Sequence, residues 1–165
     1  MGATLIASNK VTMDVLSDIT VPDKTHSYVP VSHIDFIKNT KDIADKILDK
    51  HQLYKEQYGI ARDGKQMFGT LTYKEAFHDE PQEIGLSIGI RNSYDKSMSL
   101  GICSGASVFV CENLMMTGEI VVMRKHTGSI IDELKGLIFN TLLKSEDKFA
   151  TIHADSQQLK KYELE

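Results

Sequence analysis

The apolar residues Ile34, Ile37, Ile43, Ala44, Ile47 and Leu48 recur at helical spacing. The run opens on Ser32 and Asp35, the Ser/Thr-x-x-Asp/Glu signature of a capped helix start. Together they predict a helix over about residues 33–54. Its outer face, Lys38, Lys41, Asp42, Asp45, Lys46 and Asp49, mixes both charge signs and reads as a solvated surface, not a nucleic-acid stripe. From Tyr58 the period becomes strand-like, and Asp63-Gly64 supplies the positive φ angles of a tight hairpin turn. Strands over about 57–62 and 66–73 follow. After a polar loop around His78 to Gln82, Leu86, Ile88 and Ile90 alternate with Ser87, Gly89 and Arg91. The alternation resumes beyond the turn Tyr94-Asp95-Lys96-Ser97, with Met98, Leu100 and Ile102 against Ser99, Gly101 and Cys103, which is a second hairpin. Ser104-Gly105 marks a bulge or bend before Val108-Phe109-Val110, and Glu119 to Lys125 makes a final strand. Ser129 and Asp132 repeat the capping signature ahead of the stripe Ile130, Ile131, Leu134, Leu137, Ile138, Thr141 and Leu142, a helix ending near Lys144.

Strands grouped between two principal helices, joined by hairpin-length connections, predict an α+β domain with a mainly antiparallel sheet of about five or six strands. The expected organisation is an N-terminal arm over 1–31, one α+β domain over 32–145 and a polar C-terminal tail over 146–165. Pro22 and Pro30 bracket the polar part of the arm.

Composition narrows the function classes. With 41% hydrophobic and 25% charged residues in 165, the chain has the balance of a globular domain and not of a disordered or fibrous protein. Its net charge of -4 argues against coating a phosphate backbone, while leaving room for a local basic pocket. Cys103 and Cys111 would stand about 26 Å apart on one straight strand, at about 3.3 Å per residue, so a disulfide is not expected. With no signal peptide, no myristoylation signal and no apolar run near the roughly 20 residues of a bilayer span, a cytoplasmic protein without membrane contact is expected.

Three places could carry chemistry. The face shared by Ser87, Gly89, Ser99, Gly101 and Cys103 is small throughout, which allows either close packing by a helix or a flat ligand against the backbone. The turn Arg91-Asn92-Ser93-Tyr94-Asp95-Lys96-Ser97 is either ordinary turn chemistry or a clamp. As a clamp, Arg91 and Lys96 hold an anion and Asn92 and Ser93 direct it, with Asp95 and Ser97 adding polar groups. The junction Arg124-Lys125-His126-Thr127-Gly128-Ser129 leads into a helix start, where free N–H groups and the helix dipole favour anions. Alternation points Arg124 and Lys125 to opposite faces, so at most one of them serves a given pocket. His126 would gain a charge below about pH 6.5. There is no G-x-x-x-x-G-K-S/T loop, H-E-x-x-H helix, G-x-S-x-G elbow or C-x-x-C pair, and the six histidines are scattered. No metal and no cofactor are therefore expected, and Cys111 lacks a cationic neighbour to activate it.

At these clusters the sequence resembles the phage/plasmid-like protein family that contains a domain of unknown function (number nine-three-two). The likeness rests on Val21-Pro22 to Thr25, Ser27-Tyr28-Val29-Pro30-Val31-Ser32-His33, Ile90-Arg91-Asn92-Ser93-Tyr94-Asp95-Lys96-Ser97, Val108-Phe109-Val110-Cys111-Glu112-Asn113 and Arg124-Lys125-His126-Thr127. It covers about residues 20–140. Members are often longer after the last helix, so a site built by that extension would come from another subunit, and Tyr94 stands where the family more often has His. The resemblance implies a viral or mobile-element setting and no assigned reaction.

The expectation is a non-enzymatic phage or prophage accessory protein that binds a small anionic, nucleotide-like ligand, sequestering a host defence signal, and works as a homo-oligomer. The alternative is a phage replication or recombination factor that binds single-stranded nucleic acid on its sheet. Low aromatic content, 7% with no Trp, counts against that nucleic-acid partner. A hydrolase using His126 with Asp95 or Glu112 is a weaker third reading.

Overall fold

The computed structural model describes residues 3–7, 9–75, 86–112 and 115–163. The long central hairpins form where the alternation is strongest. Strands β3 (His51–Ala61), β4 (Gln66–Glu75), β5 (Leu86–Ser93) and β6 (Leu100–Gly105) pair antiparallel in sequence order. β9 (Ile120–Arg124) adds to β6, and β2 (Asn9–Val11) adds to β3, giving a six-stranded sheet of order β2-β3-β4-β5-β6-β9. After Gly105 the chain bends out of this sheet, as the Ser104-Gly105 signal suggested. β7 (Val108–Cys111) then builds a three-stranded sheet with β1 (Ala3–Ile6), parallel to it, and β8 (Met115–Thr117), antiparallel. The α+β class with a mainly antiparallel sheet holds.

The six-stranded sheet is the middle of three layers. On one face, Leu71, Tyr73, Leu86, Ile88, Ile90, Leu100 and Ile102 meet α2 (His33–Ile47) and α3 (Ile130–Glu163), which contribute Phe36, Ile37, Ala44, Leu134, Ile138 and Leu142. On the other face, Phe68, Met98 and Cys103 meet Leu5, Val108 and Val110 of the three-stranded sheet. Burial on both faces explains why every residue of β5 and β6 is buried.

This second layer decides the small-residue face. A Cβ on Gly89 would lie 2.5 Å from Val110 and 2.7 Å from both Val108 and Cys103, and one on Gly101 would lie 2.7 Å from Met116 Sδ. The small side chains therefore admit a packed sheet. At Gly89, Gly101 and Cys103 it is the three-stranded sheet, and not a helix, that packs on that face.

Four boundaries differ from expectation. Ser32 caps α2, its Oγ accepting from the Asp35 N–H at 3.2 Å, but the helix ends at Ile47 and not near 54. Its predicted last turn is the start of β3, because His51 and Leu53 find partners in Glu75 and Tyr73. The β3–β4 turn draws Arg62 as well as Asp63 and Gly64 into positive φ. The N-terminal 31 residues are more than an arm, since β1 and β2 belong to the two sheets and a short helix, α1 (Met13–Ser17), follows. The polar stretch after 145 is a continuation of α3 to Glu163 and not a tail: it holds no Gly or Pro to stop a helix. The loop expected around His78 to Gln82 lies outside the described residues.

Candidate functional site

Asn92 is the node of the site. Strand alternation turns its side chain to the helical face of β5, where Nδ2 donates to the Val31 carbonyl at 2.6 Å and lies 3.0 Å from His33 Nδ1. Its Oδ1 lies 2.7 Å from His126 Nε2, and His33 Nε2 lies 3.0 Å from the Gly64 carbonyl. The partners assign every proton. A carbonyl can only accept, so the atom facing Val31 is the amide NH2. His33 Nδ1 must then accept, its Nε2–H donates to Gly64, and His126 Nε2–H donates to Asn92 Oδ1. Asn92 and His33 are fully buried and His126 is nearly so. Burial, with the neighbouring His126 adding to it against the Gly64 hydrogen bond, pushes His33 down to about 4. Burial also holds His126 below its ordinary value. Both rings are neutral at pH 7.

Aromatic rings clamp this relay. The Tyr94 ring stacks on His33 with centroids 3.7 Å apart, and its Oη accepts from the His33 backbone N–H at 2.8 Å. The Tyr28 ring leans on His126 at 5.7 Å, while its hydroxyl donates to the Ser93 carbonyl at 3.2 Å. The backbone N–H of Val29 donates to the His126 carbonyl at 2.8 Å, which fixes the β9–α3 loop against the segment before α2.

The β5–β6 connection is held at almost every residue. Ser93 Oγ donates to the Met98 carbonyl at 2.8 Å, Asp95 Oδ1 accepts from the Ser97 N–H at 3.0 Å, and Gln66 Nε2 donates to Ser97 Oγ at 2.8 Å. Burial works against ionisation of Asp95, but the Ser97 hydrogen bonds and Arg62 at 3.5 Å outweigh it and hold the carboxyl below its usual range. Lys96, between Asp95 and Ser97, is left-handed with φ 63°. Its Nζ stands 5.3 Å from the centre of the Tyr28 ring.

Three segments distant in sequence thus enclose one cleft of about 350 Å³: Ser27 and Tyr28, Lys96 to Ser99, and Lys125 to Thr127. Of the expected residues, Lys96, Ser97, Lys125, His126 and Thr127 line it. Asn92 stands behind His126 with its amide committed to protein partners, and Ser93 and Asp95 shape the turn.

Two expected residues lie elsewhere. Arg91 cannot clamp an anion with Lys96 as the sequence suggested, because alternation sends it to the face covered by the three-stranded sheet. There it is 7% exposed, and Nη2 donates to Met123 Sδ at 2.8 Å. Arg124 pairs with Glu133 and borders a second, open concavity of about 450 Å³ at the start of α3, shared with Lys125 and Thr127. Ser27, Tyr28, His33 and Tyr94 were not expected as site residues. The signal for the first three was the Ser27 to His33 stretch around Pro30, and Tyr94 sat in the turn motif itself.

The arrangement does not reproduce the His126–Asp95 pair of a hydrolase, since His126 Nε2 is engaged by Asn92, and Asp95 by Arg62 and Ser97. Glu112 follows β7, on the other side of the six-stranded sheet, and its N–H donates to the Ile6 carbonyl. Burial pushes the Cys103 thiol up to about 12, and Cys103 and Cys111, on separate strands, form no disulfide. Among the described residues no group of three or more His, Cys, Asp or Glu is placed to hold a metal, and no helix is long and apolar enough to cross a membrane. Comparisons with protein-family models, with curated proteins and with solved structures returned no match.

Proposed function

We propose that the protein binds a small nucleotide-like anion in the Tyr28–Lys96–His126 cleft, as a non-enzymatic accessory protein of a phage or prophage that sequesters a host signal. One observation carries this reading: on a chain of net charge -4, two lysines, a tyrosine ring and several hydroxyl groups from three distant segments converge on one cavity. At about 350 Å³ its volume falls at the lower end of the roughly 300–1,000 Å³ of small-ligand sites, enough for a mononucleotide and not for a strand. The rigid backing of Asn92 and His33 suits a pocket that holds its shape before the ligand arrives. The setting rests on the family resemblance.

Isothermal titration against cyclic and adenine-containing nucleotides tests the reading. Micromolar binding with the nucleotide recovered intact supports a sequestering protein. Turnover would replace it with a hydrolase, and tight, salt-dependent binding of a single-stranded oligonucleotide would replace it with a replication or recombination factor. Absence of micromolar binding by any anionic nucleotide removes it.

A further inference from the structure

The backbone at Lys96 is out of place. A left-handed φ of 63° is free of strain for glycine, but for a lysine it presses Cβ on the following carbonyl. Among the described residues the other left-handed positions besides glycine, Arg62 and Asp63, sit in the tight β3–β4 turn, whose geometry calls for them. Lys96 lies in the longer connection between β5 and β6, where a glycine would serve the fold better. The conformation is imposed from both sides: the Tyr94 N–H donates to the Lys65 carbonyl at 2.6 Å, Asp95 Oδ1 takes the Ser97 N–H, and Ser97 Oγ takes Gln66. Such over-determined strain collects at ligand clamps.

The strain also places a charge. It directs the Lys96 ammonium over the Tyr28 ring, and among the described residues that ammonium meets no carboxylate. Lys125 supplies a second cation to the same cleft, and the Tyr28 ring is anchored by its hydroxyl on Ser93. The Tyr28 ring is only 5% exposed and has both that ammonium and His126 against it, so the groups left to meet a ligand are the two ammonium ions and the hydroxyl side chains of Ser27 and Thr127, which match a phosphate.

Building on the cleft as an anion site, we infer that Lys96 is its main phosphate contact, that the left-handed backbone is strain retained for that contact, and that the ligand is a phosphate monoester recognised through its phosphate.

The experiment uses the full-length chain. Adenosine 5′-monophosphate, adenosine and inorganic phosphate are titrated by calorimetry, and melting temperatures are taken for the wild type and for Lys96→Gly, Lys96→Ala and Lys96→Arg. The monophosphate should bind at least tenfold more tightly than adenosine, which lacks the phosphate, and inorganic phosphate should compete with it. Lys96→Gly should melt about 2–4 °C higher, the shift that relief of one strained residue brings in a domain of this size, and should lose at least tenfold in monophosphate affinity. Lys96→Ala should lose the same affinity without the gain in melting temperature, and Lys96→Arg should bind within about threefold of wild type. A Lys96→Gly variant that binds the monophosphate like wild type, or that melts no higher than Lys96→Ala, overturns the inference. Binding of a cyclic nucleotide but not of the monophosphate overturns it and leaves the cleft as an anion site. Binding of no anionic nucleotide at all overturns both.

Discussion

Asn92 answers three buried groups at once, and no other side chain of its size can do so. The amide donates twice and accepts once, matching the Val31 carbonyl, the His33 lone pair and the His126 N–H. Asn92→Ala strands all three and should cost about 3–5 kcal/mol in urea unfolding, given about 1–3 kcal/mol for each buried group left unsatisfied. Asn92→Asp should cost about as much at pH 7, since a carboxylate faces two acceptors with no proton to give, and its deficit should shrink toward pH 5 as His33 gains a proton that it can donate. The two buried histidines make the fold sensitive to acid. With His33 held at about 4 against an ordinary value of 6.5, the unfolded chain binds more protons between those limits, so stability rises with pH across that window. It is complete above about pH 6.5 and falls as pH drops toward 4, by about 3 kcal/mol for His33, with His126 acting in the same direction. Urea titrations at pH 7.0 and 4.5 measure it, and an unchanged midpoint would contradict the neutral relay. For the same reason His126 charges further below pH 6.5 than its residue type alone suggests.

At the scale of elements, the six-stranded sheet is closely sandwiched where β5 crosses β7. Gly89→Ala pushes a methyl group into Val108, Val110 and Cys103 and should destabilise by about 1–3 kcal/mol, read as a lowered urea midpoint with unchanged slope. How far the elements were legible depended on whether their cause was local. The Ser32 cap, the Asp63-Gly64 turn and the β5–β6 alternation act within a few residues, and each stands where the sequence placed it. The end of α2 did not, because Leu48 and Leu53 fit a helical stripe equally well, and only pairing with β4 makes residues 51–54 a strand. β1 and β2 were missed since three or four residues carry no period, and the continuation of α3 was missed since polar residues without a stripe read as a tail.

For the molecule as a whole, the clusters that stood out in the sequence do converge, but by faces and not by neighbourhood. Strand alternation already separated Arg91 from Asn92, and applying it to the turn motif would have removed Arg91 from the clamp; it did not separate Arg124 from Lys125, which border one concavity because β9 ends at Arg124. What no local rule could supply is the partner of Asn92, because its bonds join residues 61, 59 and 34 positions apart. That separation bears on the order of folding. Chain closures of this length carry a large entropy cost before any hydrogen bond returns it, whereas the β3–β4 hairpin closes over a few residues. The relay should therefore lock only after the sheet and helices have docked, and the cleft should be the last part of the protein to exist. In stopped-flow measurements Asn92→Ala should speed unfolding by most of its equilibrium cost while leaving the refolding rate within about twofold of wild type. A refolding rate that falls in step with stability would put the node in the nucleus instead. If the site does close last, a chain still emerging from synthesis holds both lysines and the tyrosine long before the cleft that they line exists.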